Sequence, residues 1–194
     1  LSEVSEIEGD FEDILEDFKD KVDVAIDGGD SEIGIESTIV KVIDGIPHIL
    51  RPGSITAEQI MQFAPQVVNE YEDAKSNLVN HANHYTPNSK CLLVYSSDNE
   101  KMVSRINKIA TNYEKPCILS THENISRYSA DLIIDIGSKH NLDEIARNIF
   151  SALKRADTYS PDVVIVEGVA QEGIGLAIMN RLMRACKGNF LEVE

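Results

Sequence analysis

The feature that most constrains the fold is a regular alternation of short apolar runs and amphipathic stretches after residue 90. The apolar runs have the length of buried β-strands, and apolar residues recur at helical spacing between them. The predicted strands are Cys91–Tyr95, Cys117–Ser120, Leu132–Ile136, Val163–Val166 and Phe190–Val193. Two of the predicted helices follow Ser97 and Asn141, and the third covers Ile174–Cys186. Such alternation predicts a small Rossmann-like α/β domain with an open, mostly parallel sheet.

The first part of the chain has shorter elements, most of them strands. An amphipathic helix is predicted over 10–19 and short strands over Val22–Ile26 and Ile33–Ile43. Asp44-Gly45 is typical of a hairpin turn, and it leads into a strand that ends at Arg51. The sequence Thr56-Ala57-Glu58-Gln59 has the pattern of a capping box and predicts a helix that reaches about Phe63.

These two parts are joined by a stretch without a sustained period. It is rich in asparagine and contains Pro87, and a connection of this length is unusual unless it is functional. We therefore predict a domain over 1–66, an interdomain linker over 67–89 and the Rossmann-like domain over 90–194.

Within the Rossmann-like domain, a second capping box is predicted at Ser97-Asp98-Asn99-Glu100.

Composition and charge exclude several classes of protein. The chain has 194 residues, of which 42% are hydrophobic, and it contains no apolar run of the roughly 18 residues that a membrane span needs. The net charge is −15. Thirteen acidic residues and only two lysines fall within 1–32, which gives that segment a charge of −11. Because an acidic segment repels phosphate backbones, we expect no direct binding to nucleic acid. No secretory signal is evident, which favours a cytoplasmic location.

The cysteines and histidines give no sign of a metal site. Cys91, Cys117 and Cys186 are far apart in the sequence, and buried free thiols in a reducing compartment are the simplest interpretation. A zinc site requires closely spaced cysteine and histidine ligands, which this sequence lacks.

Two polar residues in the first part are candidates for binding. Period-2 spacing places Ser37 on the same face as Ile35 and Ile39, so its hydroxyl either bonds within the fold or contacts a polar ligand. Arg51 ends a strand, where it is either a surface residue or a clamp for phosphate.

A glycine-rich turn at Gly168, Gly173 and Gly175 precedes the last helix. A helix N-terminus can accept an anion, but the turn lacks the Gly-Lys-Ser/Thr ending of a nucleotide-binding loop. A tight strand-to-helix connection is the alternative.

Taken in order, four segments resemble one family. They are Asp27-Gly28-Gly29 with the run Gly-Ile-Glu-Ser-Thr-Ile-Val at 34–40, the run Ile-Leu-Arg-Pro-Gly-Ser-Ile-Thr at 49–56, His84-Tyr85-Thr86-Pro87, and the run Ala-Ile-Met-Asn-Arg-Leu at 177–182. Together they cover most of the chain and resemble the C-terminal part of a long-form, two-domain YrdC-type L-threonylcarbamoyladenylate synthase. On this resemblance, 1–66 is a truncated C-terminal piece of a YrdC-like α/β domain.

The resemblance implies a reaction. The family joins L-threonine, bicarbonate and ATP into threonylcarbamoyl-AMP, usually with Mg²⁺, and releases pyrophosphate; the product serves threonylcarbamoyladenosine modification of tRNA. By the same resemblance, Ser37 contacts the threonine moiety and Arg51 the nucleotide phosphates, while His84 and Tyr85 belong to a linker that closes over the substrates. For the last two, packing of the linker against a domain is the alternative. No catalytic nucleophile and no metal ligand are implied.

The sequence also departs from the family pattern. The basic pocket and the opening strands of the family would lie upstream of Leu1, and the linker residues 77–83 lack the expected aromatic and basic side chains. We therefore expect the chain to be inactive alone, and residues 1–65 to be rearranged or covered by an upstream fragment or partner chain. A non-catalytic interaction or regulatory α/β module is the alternative function.

Overall fold

The computed structural model describes Phe11, Leu15, Phe18 and residues 21–29, 33–70 and 85–194. The larger of its two sheets has five strands: β4 Lys90–Tyr95, β5 Pro116–Ser120, β6 Leu132–Asp135, β7 Val163–Glu167 and β8 Phe190–Glu192. Their order across the sheet is β6-β5-β7-β4-β8. Every pairing between them is parallel, which confirms the predicted open parallel sheet.

Helices cover both faces of this sheet, as parallel strands require. Helix α2 (Asn99–Ala110) packs on one face, and helices α3 (Leu142–Thr158) and α4 (Ile174–Ala185) pack on the other. A 3₁₀ helix, His122–Arg127, connects β5 to β6. Strands β5 and β7 lie inside the sheet between both helical layers, and all their residues are buried.

The smaller sheet contains the hairpin. Strands β1 (Ile39–Ile43) and β2 (Ile46–Arg51) are antiparallel, and β3 (Val68–Asn69) pairs with β2 in parallel. Asp44 and Gly45 both have positive φ, at 50° and 81°, as a two-residue type I′ hairpin turn requires. The predicted turn is confirmed.

The predicted helix caps are confirmed in one case and displaced in the other. Helix α1 (Ala57–Met61) begins after Thr56 with both hydrogen bonds of the predicted capping box. Helix α2 differs, because its cap is Asp98 and not Ser97: the Asp98 carboxylate accepts from the backbone N–H groups of Glu100 and Lys101. A carboxylate at this position also interacts favourably with the helix dipole.

Two strand predictions in the first part were wrong. Residues 22–26 form no strand, and the side chains of Val24 and Ile26 are 77% and 88% exposed. The strand predicted from Ile33 begins only at Ile39. β-branched residues favour strands when a neighbouring strand and a packed face are present, and the described residues offer 22–26 neither. Of the predicted helix over 10–19, Phe11, Leu15 and Phe18 are helical, and its other residues lie outside the described part.

Candidate functional site: the edge formed by Ser37 and Arg51

The structure brings Ser37 and Arg51 into direct contact. The Arg51 guanidinium donates through Nη2 to the Ser37 carbonyl at 2.9 Å and to its hydroxyl at 3.3 Å, and through Nε to the same carbonyl at 3.3 Å. Ser37 is exposed and Arg51 is half-buried. The two candidates, separated by 14 positions in the sequence, therefore form one polar edge beside β2.

An irregularity in the hairpin accompanies this geometry. Ile39 pairs with Arg51 but Val40 pairs with Ile49, so β2 carries one extra residue, Leu50. Such a β-bulge bends the strand and changes the direction of the side chains that come after it. Here it accompanies the turn of Arg51 toward Ser37, which precedes β1.

The backbone on either side of this edge is tightly joined. The Thr38 hydroxyl donates to the Ile55 carbonyl at 2.6 Å and accepts from the Ile55 N–H at 3.1 Å. A Cβ on Gly53 would stand 2.3 Å from the Glu36 carbonyl oxygen, so only glycine lets the two segments approach so closely. The segment that follows β2 therefore packs closely against the segment that contains Ser37 and is hydrogen-bonded to it.

The edge is also attached to the large sheet. Ile35, two residues before Ser37, is 5% exposed and packs among the residues of α3 and α4. Arg181 of α4 donates to the Gly34 carbonyl at 3.4 Å. A Cβ on Gly34 would lie 2.3 Å from the Arg147 Cα, so this contact is backbone against helix. The segment 34–35 thus links the candidate site to the helical layer.

Of the two linker candidates, Tyr85 is described and His84 lies outside the described residues. The Tyr85 hydroxyl donates to an Asp157 carboxylate oxygen at 2.5 Å, and its ring meets the Phe150 ring edge-on, with the centroids 5.5 Å apart. The same carboxylate accepts from the Asn88 backbone N–H at 3.0 Å. These contacts fix the end of the linker on helix α3.

The structure also contains a buried carboxylate that the sequence did not predict. Glu167 at the end of β7 is 1% exposed and accepts from the Thr121 N–H at 2.8 Å, the Thr121 hydroxyl at 2.9 Å and the Ser120 hydroxyl at 3.2 Å, and also from the Asn124 amide. Burial raises the pKa of Glu167, and these hydrogen bonds lower it in part. A glutamate that ends an apolar run was the only signal in the sequence. All these partners are neutral and the carboxylate faces the protein interior, so we assign it a structural role.

The glycines of the turn before the last helix allow close packing of the backbone. A Cβ on Gly175 would stand 2.0 Å from the Ala170 carbonyl oxygen, and one on Gly168 would stand 2.9 Å from the Tyr95 Cβ. Gly173 has a φ of 54°. Close packing and positive φ explain these glycines, which supports the tight-connection alternative. Within the described ranges, no group of three or more histidine, cysteine or acidic side chains could hold a metal ion.

Fold and site together define an α/β protein in which a polar edge, built from a serine and an arginine, is attached to a parallel-sheet domain. The chain belongs to the family described as threonylcarbamoyl-AMP synthase, C-terminal domain, whose sequence profile matches residues 55–186. A second profile, of the Sua5, yciO and yrdC proteins and described as telomere recombination, matches residues 2–53. These matches confirm the family resemblance and the YrdC-like character of the first part.

Named relatives agree with this assignment. The threonylcarbamoyl-AMP synthase of Pyrococcus abyssi is 31% identical over 186 residues, which are 93% of this chain and 54% of the relative. A crystal structure of P. abyssi Sua5 complexed with L-threonine is 29% identical, has a TM-score of 0.81, and is matched over 94% of this chain and 55% of its own. A structure of a P. abyssi Sua5 variant with an adjacent histidine and tyrosine replaced by alanine is 28% identical over 95% of this chain and 54% of its own, with a TM-score of 0.80.

The chain spans about half the length of the curated relatives it matches. The activity of those whole proteins therefore does not transfer directly to this chain. In the part of the chain that the structure describes, no helix has the length and apolar character needed to span a bilayer.

Proposed function

We propose that this chain is part of an L-threonylcarbamoyladenylate synthase, which joins L-threonine, bicarbonate and ATP into threonylcarbamoyl-AMP and pyrophosphate for tRNA modification. The observation that carries the proposal is the contact between Ser37 and Arg51 on an exposed edge, in a chain of this family. In this proposal, 1–66 completes a YrdC-like catalytic domain, 67–89 is the linker, and 90–194 is the Rossmann-like domain in the cytoplasmic enzyme.

The chemistry assigns a role to each residue of the edge. A carbamate oxygen of N-carboxy-threonine attacks the α-phosphorus of ATP and expels pyrophosphate, so the protein must place the reactants and offset negative charge. The Arg51 guanidinium is a planar set of N–H donors that suits phosphate oxygens. The Ser37 hydroxyl, held beside it, suits the polar groups of the amino acid L-threonine.

In this proposal the nucleotide phosphates, and none of the described side chains, would hold Mg²⁺. The described residues contain no cluster of side chains able to hold a metal ion. Mg²⁺ prefers phosphate oxygens, a few carboxylates and water, and when bound it would neutralise phosphate charge. We therefore assign none of the described residues to Mg²⁺.

The linker completes the proposal. His84-Tyr85 is the only His-Tyr pair in this chain, and an adjacent histidine and tyrosine were replaced in the P. abyssi Sua5 variant. The bond from Tyr85 to Asp157 fixes the linker where it reaches the second domain. We propose that Tyr85 anchors the linker on the second domain and that the linker, with His84, takes part in binding the substrates.

The small sheet offers a surface to which a completing part of the domain would bind. The side chains of Val40 and Val42 are 39% and 66% exposed, and their spacing of two residues places both on one face of strand β1. Exposed apolar side chains grouped in this way are typical of an interface. We propose that the rest of a YrdC-like domain, as an upstream segment or a partner chain, covers them.

Pyrophosphate release tests the proposal. The purified 194-residue chain should release none with L-threonine, bicarbonate, ATP and Mg²⁺. A chimera that adds, ahead of this chain, the part of the P. abyssi relative outside the match should be active. A folded chimera without activity would contradict the proposal, and binding of the two parts without activity would support the interaction module instead.

Variants of the active chimera test the site. Arg51→Ala should lower kcat by about 100-fold, the effect of removing a donor that stabilises transition-state charge. Arg51→Lys keeps the charge but loses the planar donors, and it should recover only part of the rate. Ser37→Ala should raise KM for L-threonine about tenfold, since one lost hydrogen bond weakens binding by about 1.4 kcal/mol.

Lys41→Ala is the matched control, because Lys41 is an exposed cation on the neighbouring strand β1. It should leave both kcat and KM unchanged. Equal effects of Arg51→Ala and Lys41→Ala would show that Arg51 contributes only to the overall charge and would contradict its assigned role.

A further inference from the structure

Two cysteines that are 95 positions apart meet in the interior. Cys91 lies in β4, and Cys186 directly follows α4. Their sulfur atoms are 2.6 Å apart, and the residues are 5% and 1% exposed. The contact therefore joins the strand that follows the linker to the end of the last helix.

The distance between the sulfur atoms is too short for ordinary packing. Carbon atoms, which are smaller, reach their best non-bonded separation at about 3.5–4.0 Å. A disulfide bond has a length of about 2.0 Å, so the observed contact lies closer to the bonded state than to the packed one. A small shift of either side chain would bring the two sulfur atoms to bonding distance.

The third cysteine, Cys117, cannot pair with Cys91. Cys91 and Cys117 are both register partners of Val164, which places β7 between their strands. Two strand spacings of about 4.8 Å separate their Cα atoms by more than the roughly 7 Å that a disulfide tolerates. Cys117 is also fully buried, and burial raises its pKa to about 12.

The cysteine pair is reached from a small pocket. The pocket has a volume of about 140 Å³ and is lined by residues 86–91 on one side and by residues 185–187 and 189 on the other. Both Cys91 and Cys186 contribute to its wall, while Cys117 does not. It has room for a molecule as small as hydrogen peroxide.

We propose that Cys91 and Cys186 form a modification site at which a small peroxide makes an intramolecular disulfide. The Cys91 sulfur attacks one peroxide oxygen, the O–O bond breaks, and a sulfenic acid and one water form. The Cys186 sulfur then attacks the Cys91 sulfur, the S–O bond breaks, and the second water leaves with the remaining thiol proton. Two thiols are oxidised and one peroxide is reduced to two waters.

The assignment of Cys91 as the first nucleophile rests on its surroundings. It is the more exposed of the two thiols. The hydrogen bond to Cys91, together with burial, raises the pKa of the Cys186 thiol, which keeps it protonated at neutral pH. Since the thiolate is the reactive form, we expect the bond to form slowly in the folded protein and to be reversed by a dithiol.

Thiol counting and peptide mapping on the folded 194-residue chain test the proposal. Hydrogen peroxide treatment should lower the mass by two hydrogen atoms; alkylation of the unfolded chain should then label one of the three cysteines, and one peptide pair should link Cys91 to Cys186. The denaturation midpoint of the oxidised chain should be higher than that of the reduced chain, and dithiothreitol should return it to the value of the reduced chain.

Two variants act as controls. Cys117→Ser should keep the disulfide and leave no free thiol, whereas Cys186→Ser should form no intramolecular bond. The wild-type map does not depend on whether either variant folds. Three free thiols after oxidation, a bond that involves Cys117, or a bond between two molecules would each overturn the proposal.

Discussion

The two sheets of this chain differ sharply in how much they bury. Every residue of β5 and β7 is buried in the large sheet, whereas Ile49 is the only buried residue of β1 and β2. Yet Arg51 is the last residue of strand β2 in the small sheet, Ser37 lies beside it, and we assign the large sheet no contact with substrate. Under the proposed function the two sheets have different tasks: the large sheet supplies stability, and the small sheet supplies binding groups and is covered by a further surface.

Core truncation should show the largest difference between the regions. Ile165 in β7 is fully buried, and Ile165→Ala should lower the free energy of unfolding by about 2–5 kcal/mol, because it removes apolar contacts and leaves a cavity. The matched change Val42→Ala, at a side chain that is 66% exposed, should change it by less than about 0.5 kcal/mol. Urea unfolding followed by circular dichroism measures the free energy of unfolding of both variants. Equal losses would contradict the difference between the two sheets.

Glu167 tests the polar part of the large sheet. Glu167→Ala should lower the free energy of unfolding by about 1–3 kcal/mol, since the donors on Thr121 and Asn124 lose their buried acceptor. Glu167→Gln is the milder control, because an amide oxygen still accepts. A loss in Glu167→Ala no larger than that of an exposed substitution would contradict a structural role.

The pH dependence of stability gives a second test of Glu167. Because burial raises its pKa in the folded state, the folded protein holds this proton more tightly than the unfolded chain does. The resulting stabilisation is complete below the unfolded pKa and is lost as pH rises through the folded pKa. In Glu167→Gln, the urea concentration at the unfolding midpoint should no longer fall as pH rises through this range. Identical pH profiles for the variant and the wild-type chain would contradict the assignment.

Gly34→Ala tests the junction of the two regions. The new Cβ would collide with the backbone of α3 at Arg147, and such overpacking should lower stability by about 1–3 kcal/mol. Detachment of the segment should also speed proteolysis within 36–51. Gly28→Ala is the control, since nothing lies within 4 Å of a Cβ there. If both variants resist protease equally, the junction does not hold the small sheet.

Substitution of Tyr85, which fixes the end of the linker on helix α3, should have the smallest effect on the free energy of unfolding. Tyr85→Phe removes the hydroxyl that donates to Asp157 but keeps the ring against Phe150. The loss should be about 1 kcal/mol, the net value of one hydrogen bond, because Asn88 still binds the carboxylate. Tyr159→Phe, at an exposed tyrosine that follows α3, is the control. A similar small change in both would exclude an anchoring role.

The sequence predicted best where local pattern and packing agree. The alternation after residue 90 predicted all five strands of the large sheet, because buried parallel strands are apolar on both faces. The hairpin turn at Asp44-Gly45 was predicted because few residues adopt positive φ readily. Ser37 and Arg51 were candidates from their strand positions and took their assigned roles from the family resemblance, and the structure adds their mutual contact.

The features that the sequence could not predict depend on distant partners. Val22–Ile26 has β-branched residues, but strand formation needs a neighbouring strand, and no local pattern reveals whether one exists. The contact of Cys91 with Cys186 and the bonds to Glu167 join residues that are remote in sequence. The cap of α2 was placed one residue early because serine and aspartate are equally good caps.

Hydrogen–deuterium exchange on the intact chain tests the central claim, that the large sheet holds the stability and the small sheet depends on another surface. Amides within Pro116–Ser120 and Val163–Glu167 should exchange only on global unfolding, while those within Ile39–Ile43 and Ile46–Arg51 should exchange far faster through local opening. Joining the chain to the upstream part of the P. abyssi relative should slow exchange in the hairpin alone. Equal protection of both sheets in the isolated chain would contradict this division of tasks.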